Sequence, residues 1–334
     1  MKSNKLKINI KINKIFNKKK YILLKSKNIK NNEYIKITKN KFINLFCSII
    51  FLYIFFFLLY SYYIKKKYNL KNSKHKIIAI TYGSSSFYKE IQYNKKSALE
   101  IGNVDEHYIY TPNDLDNEFK EKNKDILFRK RGGGYWLWKP YIILKAFKEK
   151  LNEGDYLIYT DAGVLYIDSS YKIVNFLKEK NVDMWMNKLR HKEKKYTKRD
   201  AFILMGADSP FYTDTNQYMA TIQVYKKNKY TEKFLTQLLF YSQDKRIITD
   251  DPNTQGLDNY PEFIENRHDQ TVLSLLIKKY GEANSGYPSL NLLEIKRIVM
   301  PNIFCFYRRV ENYNYSSLRD NCIKRENAEN RFKI

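Results

Sequence analysis

RGGGYWLWKPYIILKAFKEKLNEGDYLIYTDAG, residues 131–163, holds three consecutive glycines, two of the chain's three tryptophans and a short apolar run that ends in a carboxylate. Gly132, Gly133 and Gly134 permit backbone conformations and close approaches that a Cβ forbids. Lys139 precedes Pro140, which biases it toward extended geometry. Trp136 and Trp138, two apart in such a piece, point the same way. Pro140 suits the first turn of a helix, and Ile143, Ala146 and Phe147 follow at helical spacing. After the Asn152-Glu153-Gly154 break, residues 155–160 read as an apolar strand that delivers Asp161 to its C-terminal edge. In an open α/β sheet, ligands bind at that edge.

Working outward, residues 77–81 form a compact apolar strand followed by Tyr82-Gly83 and three serines. Small residues there let backbone N–H groups approach a ligand, as in a nucleotide-binding β-α unit, so Gly83 is a donor-binding candidate. Helical spacing runs through Ala98 and Leu99, residues 107–110 read as a second strand, and residues 114–124 as a charged helix or loop. Further along, residues 182–186 predict a strand, 191–199 an exposed loop and 202–205 an apolar strand. Residues 217–225 predict another strand, and 231–241 a helix capped by Thr231. The acidic segment 244–258 is long enough for a lid. Arg267-His268-Asp269-Gln270 opens a helix carrying Val272, Leu273, Leu276 and Ile277, and the helix dipole favours Asp269 there even without a function. Residues 299–306 predict an edge strand, and the chain beyond Glu311 a loosely held tail. Strands alternating with helices predict an α/β fold with a mixed, mainly parallel sheet.

The R-G-G-G-Y-W-L-W-K-P segment, the strand ending in Asp161-Ala162-Gly163 and the Arg267-His268-Asp269-Gln270 quartet together resemble a group of GT-A-fold glycosyltransferase-like sequences. The resemblance spans roughly residues 76–280 and implies a family, not a substrate. It implies a nucleotide-sugar donor and a glycan, glycoprotein or glycolipid acceptor. Metal-dependent members of that fold carry Asp-x-Asp; here Gly163 stands at the second position, which leaves Mn2+ or Mg2+ use open. Glycosyl transfer requires a neutralised diphosphate, an oriented acceptor hydroxyl and, in an inverting enzyme, a carboxylate to take its proton. On this resemblance Asp161 serves the donor ribose or a metal, and Arg131 and Lys139 the phosphates. Gly133, Gly163, Trp136 and Trp138 line the donor side, with core packing as the competing role for the tryptophans. Asp269 is the leading base candidate and His268 a second base or a metal ligand. Asp200 and Asp208 fall where the family shapes its acceptor side, with loop solvation the competing reading.

The net charge of +26 invites a polyanion reading, but lysine is spread almost everywhere along the chain. No zinc-finger spacing, basic zipper or RNA-recognition signature accompanies it, so no specific nucleic-acid partner is expected. Residues 42–64 contain no charge and are long enough to span a bilayer, with Tyr60, Tyr62 and Tyr63 at the far end like an interfacial belt. The basic excess of residues 1–41 favours a cytoplasmic N-terminus: a type II, single-pass, signal-anchored protein facing a Golgi or other secretory lumen. The implied order is a basic tail (1–41), an anchor (42–64), a short stem (65–75), a catalytic domain (76–310) and a polar tail (311–334). Of three cysteines, Cys47 lies in the apolar run, leaving Cys305 and Cys322 as an unforced pair. Asn314-Tyr315-Ser316 is an acceptable glycosylation sequon. Two alternatives stay open. One is a nucleotidyl- or phosphosugar transferase on the same fold; the other is a catalytically degenerate, membrane-tethered binding protein for anionic polymers.

Overall fold

The computed structural model of the 334-residue chain describes residues 21–25, 34–68, 75–281, 303–307 and 314–331. The chain divides into two compact units, Met1–Ser73 and Lys74–Ile334.

In the first unit, β1 (Tyr21–Lys25) and β2 (Tyr34–Thr38) pair antiparallel, where the sequence suggests only a basic tail. Ile22 in β1 and Ile35, Ile37 and Thr38 in β2 are β-branched, as suits paired strands. Then comes α1 (Lys39–Tyr68), 30 residues long, so the helix overruns the predicted anchor at both ends and takes in the start of the expected stem. Its Ile43–Tyr60 stretch has a mean hydropathy of 2.4 and is wholly unburied, long and apolar enough to cross a membrane by length and composition.

The second unit is built on a five-stranded sheet in the order β4-β3-β5-β8-β7. Its strands are β3 (Ile77–Tyr82), β4 (Glu106–Tyr110), β5 (Tyr156–Thr160), β7 (Met184–Lys192) and β8 (Asn216–Lys226). β3 is parallel to β4 and β5, while β8 runs antiparallel to both β5 and β7, so β8 alone is reversed. The sheet is therefore mixed and mainly parallel, as the alternation predicts. β5 is buried at every position, which is how a central strand covered on both faces reads as one apolar run. The flanking helices are α2 (Tyr88–Glu100), α3 (Trp138–Glu149), α4 (Tyr171–Lys180), α5 (Arg199–Leu204), α6 (Lys229–Ser242) and α7 (Asp269–Lys279). α2 packs on β3 and β4; α3 and α7 both pack on α6, and α7 covers β8.

Several local expectations change. Residues 202–205 lie in and just after α5 and not in a strand, because a short apolar run does not discriminate the two by itself. The predicted exposed loop at 191–199 is largely folded in: Glu193 is fully buried and Lys198 nearly so. Glu193 accepts from Thr197, Gln217, Ser274 and Lys278, which compensates its burial. The cap of α6 is Asn228, whose side chain accepts from the Thr231 N–H in a capping box, so Thr231 is the inner partner.

The C-terminal end is not a loose tail. β9 (Phe304–Phe306) pairs antiparallel with β6 (Val164–Tyr166) in a separate two-stranded sheet; the predicted start of that strand, residues 299–302, lies outside the described residues. Helix α8 (Tyr315–Arg331) is tied to β9 by a Cys305–Cys322 disulfide, and Leu165, Tyr315 and Leu318 bury around the bond.

Candidate active site

The three glycines set the site's geometry. Gly132, Gly133, Gly134, Tyr135 and Trp136 have φ of 59°, 59°, 93°, 53° and 60°, five successive residues in the left-handed region. Tyr135 N–H donates to Arg131 O (2.8 Å) and Trp136 N–H to Gly132 O (3.3 Å), closing a left-handed turn. Such a turn costs about 1–2 kcal/mol for each residue with a Cβ, which is why glycine fills three of the five positions. Gly134 also has no space for a side chain, since a Cβ there falls 2.6 Å from Leu127 Cα. Trp138 braces the turn by donating Nε1–H to Gly132 O at 2.9 Å and stacking on Tyr82 with 3.8 Å between centroids.

This turn corrects two expectations. Lys139 is not extended; it lies in the first turn of α3, where Pro140 is tolerated because those N–H groups have no helical partner. Trp136 and Trp138 therefore diverge. Trp138 packs into the core beside Tyr82, whereas Trp136 stacks on His268 at 5.5 Å and faces a pocket.

At the C-terminal edge of β5, the Lys139 ammonium stands 3.2 Å from Asp161 Oδ1 and 2.7 Å from Asp269 Oδ2. Lys139 is 3% exposed and Asp269 8%, so these two form a buried ion pair, which the half-exposed Asp161 joins from the pocket side. Tyr159 donates its hydroxyl to Asp161 Oδ1 at 2.6 Å. One ammonium against two carboxylates leaves the trio one negative charge in excess. For Asp269, burial raises the pKa above the ordinary carboxylate value and Lys139 only partly offsets it. For Lys139, burial opposes the charge, but Asp161 and Asp269 together outweigh it and raise the pKa.

His268 precedes α7 with φ 53° and ψ −114°, a second strained backbone point. Its Nδ1 lies 2.7 Å from Ile248 O, which can only accept, so the proton belongs on Nδ1. Nε2 faces Asp250 at 3.8 Å, and burial holds the imidazole pKa below its usual value. The rim is basic and acidic in alternation. Arg131 meets Asp250 at 3.5 Å and Glu265 at 3.1 Å, Arg267 meets Glu265 at 2.8 Å, and Arg129 meets Asp251 at 3.5 Å. The predicted lid segment thus rests on this rim, with Ile247 and Ile248 buried beneath it.

Arg131, Trp136, Lys139, Asp161, Ala220, Thr221, Glu265, Arg267, His268, Asp269 and Gln270 line a pocket of about 320 Å³. Six of these are residues predicted for the site. The other six predicted residues lie outside the lining. Gly83 packs under α2, where a Cβ falls 2.5 Å from Ile91, and Gly133 and Trp138 belong to the scaffold of the turn. Gly163 abuts the C-terminal segment, accepting from Tyr307 N–H at 3.0 Å. Asp200 is fully buried and accepts from the Thr254 and Gln255 N–H groups, so it anchors the 244–258 segment and is not solvated. Asp208 pairs with Arg199 at 3.0 Å and accepts from Tyr260 at 2.8 Å. Arg267 and Gln270 are within reach of sequence reading, being in the same quartet as His268 and Asp269. Glu265 and Thr221 carry no local signal; Thr221 enters because β8 pairs with β5 and its carbonyl accepts from Asp161 N–H.

The two predicted metal ligands face different partners. Asp161 Oδ1 takes Tyr159 and Lys139, while His268 donates its Nδ1–H to Ile248 O and leaves Nε2 without a hydrogen-bond partner, 3.8 Å from Asp250. Among the described residues no three His, Cys, Asp or Glu side chains gather as a cation cage. With the Lys139 ammonium standing between Asp161 and Asp269, the residues present do not fit a divalent ion at that point.

No protein-family model matches the chain, and no curated protein matches its sequence. Among solved structures it is similar to the galactosyltransferase LgtC in complex with donor and acceptor sugar analogues, at 12% identity and a TM-score of 0.38, covering 74% of this chain and 95% of that one. It is also similar to the bifunctional glycosyltransferase WbbM, at 8% identity and a TM-score of 0.36. That match covers 61% of this chain but only 38% of WbbM. A third is core-mannan synthase A of Aspergillus fumigatus in a Mn/GDP form, at 9% identity and a TM-score of 0.35, covering 61% of this chain and 70% of that one.

Proposed function

We propose that the chain is a membrane-anchored, GT-A-type glycosyltransferase that moves a sugar from a nucleotide-sugar donor to a glycan, glycoprotein or glycolipid acceptor. The observation that carries this reading is the Lys139–Asp161–Asp269 trio, assembled from three separate segments at the C-terminal edge of parallel strands. A scaffold alone has little use for a buried lysine and aspartate joined by a second carboxylate in a pocket beside two strained backbone points. In this reading Arg131 and Arg267 exchange Glu265 and Asp250 for the donor diphosphate, a planar guanidinium being suited to phosphate oxygens. Asp161, oriented by Tyr159, takes a donor hydroxyl, and Trp136 walls the pocket. Asp269, with its raised pKa, accepts the proton of the acceptor hydroxyl.

The disulfide supports a lumenal position for the second unit, because such bonds persist in oxidising compartments. Together with the apolar helix and the basic N-terminal segment, it favours the type II arrangement.

A thermal-shift panel of UDP-, GDP- and CMP-sugars on the full chain in detergent tests the donor assignment. One nucleotide class stabilises the protein. Asp269→Asn lowers transfer by roughly 10²–10⁴-fold with folding intact, the range for losing a general base. Stabilisation by heparin, with none by any nucleotide sugar, would transfer the protein to the anionic-polymer class.

A further inference from the structure

We propose that Lys139 is a built-in cation: its ammonium takes the place between Asp161 and Asp269 that a divalent metal ion would occupy, and the pocket binds its ligand without one. The inference rests on the nucleotide-sugar reading only for what that ligand is; the metal part stands on the donor set.

Two independent features converge. First, both carboxylates already face one ammonium, at 3.2 Å and 2.7 Å, and that ammonium cannot swing out freely. Its stem is buried in the first turn of α3, and its charge lies over Tyr159 at 5.4 Å and near Trp138 at 5.8 Å. Withdrawing it leaves the buried Asp269 carboxylate beside a second negative charge with no cation between them. Second, the position that would supply another carboxylate after Asp161 is sterically closed. A Cβ on Gly163 falls 2.9 Å from Tyr307 O, where the C-terminal segment docks, and Gly163 O accepts from Tyr307 N–H. An aspartate there cannot coexist with this packing. The charge that a metal-dependent site imports is carried here by the chain itself.

The test titrates Mn2+ alone, with no nucleotide, into EDTA-stripped full-length protein in detergent, read by electron paramagnetic resonance and calorimetry. The wild-type protein is expected to show no Mn2+ site that Asp161→Asn removes. Lys139→Met keeps the stem and leaves Asp161 and Asp269 with two uncompensated charges. It is expected to bind Mn2+ at least about tenfold more tightly than wild type, and to lose that gain when Asp161→Asn is added. A wild-type Mn2+ site abolished by Asp161→Asn overturns the proposal, as does a folded Lys139→Met protein with no gain. Should Lys139→Met fail to fold, the wild-type and Asp161→Asn pair decides the matter alone. Because no nucleotide is present, failure of the donor assignment leaves these results unchanged. Conversely, a nucleotide-sugar shift that vanishes in EDTA overturns the built-in cation while upholding the donor assignment.

Discussion

Gly134 shows how tightly single residues constrain this site. Its φ of 93° and the 2.6 Å approach of a Cβ to Leu127 Cα act in the same direction, one through backbone strain and one through a clash with main chain that cannot move aside. Gly134→Ala is therefore expected to lower unfolding stability by roughly 2 kcal/mol or more. Gly133→Ala incurs only the left-handed penalty, about 1–2 kcal/mol, since its nearest contact would be an ordinary 3.7 Å from Trp138 Nε1. Urea denaturation of the two variants checks the ordering, and equal losses would mean the clash is relieved. Three adjacent glycines announce an unusual backbone in the sequence, but not its hand. The hand follows from what surrounds it: Tyr82 stacked on Trp138 and His268 under Trp136.

Among elements, α2 controls the turn that presents Asp161. Asn94 on α2 donates to Thr160 Oγ1 and Val164 O, both at 2.8 Å, and its Oδ1 lies 2.9 Å from His107 Nε2 on β4. With the Asn94 amide N–H groups committed to those oxygens, Oδ1 accepts, so His107 carries a proton on Nε2. Burial, with Lys95 adding to it, pushes the His107 pKa down from 6.5 to about 3. The unfolded chain protonates this histidine near pH 6.5 while the folded chain does not, so its contribution to stability is complete above pH 6.5 and is lost progressively toward pH 3. The expected loss is about 1.4 kcal/mol per pH unit within that window, visible in denaturation curves and reduced in His107→Gln. Asn94→Ala orphans buried partners and is expected to destabilise by about 1–3 kcal/mol. Continuous apolar runs make β3 and β5 legible in the sequence, while β4 and β8 show as shorter runs broken by polar residues. The 202–205 segment is not, because whether four apolar residues coil or extend is settled by the surface they dock on.

For the whole molecule, the prediction concerns topology. If the second unit faces a lumen, microsomal preparations will protect it from added protease. Maleimide will label Cys305 and Cys322 only after reduction, since the two are bonded, whereas Cys47 is free. Labelling of both without reductant would contradict the lumenal assignment. Closing a loop between cysteines 17 positions apart contributes about 3 kcal/mol in the chain-entropy account, so Cys322→Ser should loosen α8 and, through β9, the Gly163 turn. The net charge of +26 takes no organised form around the pocket, where Arg131, Arg267 and Lys139 each face carboxylates.

The sequence alone determined whatever depends on a short window. That includes the apolar helix after the basic segment, the strand that ends in Asp161, the helix opened by Asp269, and the glycine run before α3. Periodicity, side-chain size and backbone permissiveness act between near neighbours, so each is readable in place. Only the tertiary structure decided which charges meet. Lys139, Asp161 and Asp269 are far apart in sequence, and their 2.7–3.2 Å contacts come from β5 lying beside β8 and α7 packing on it. It also turned Asp200 into a buried loop anchor and closed the space at Gly163 with a strand from the far end of the chain. Spacing along a chain carries no distance; burial and sheet pairing supply it.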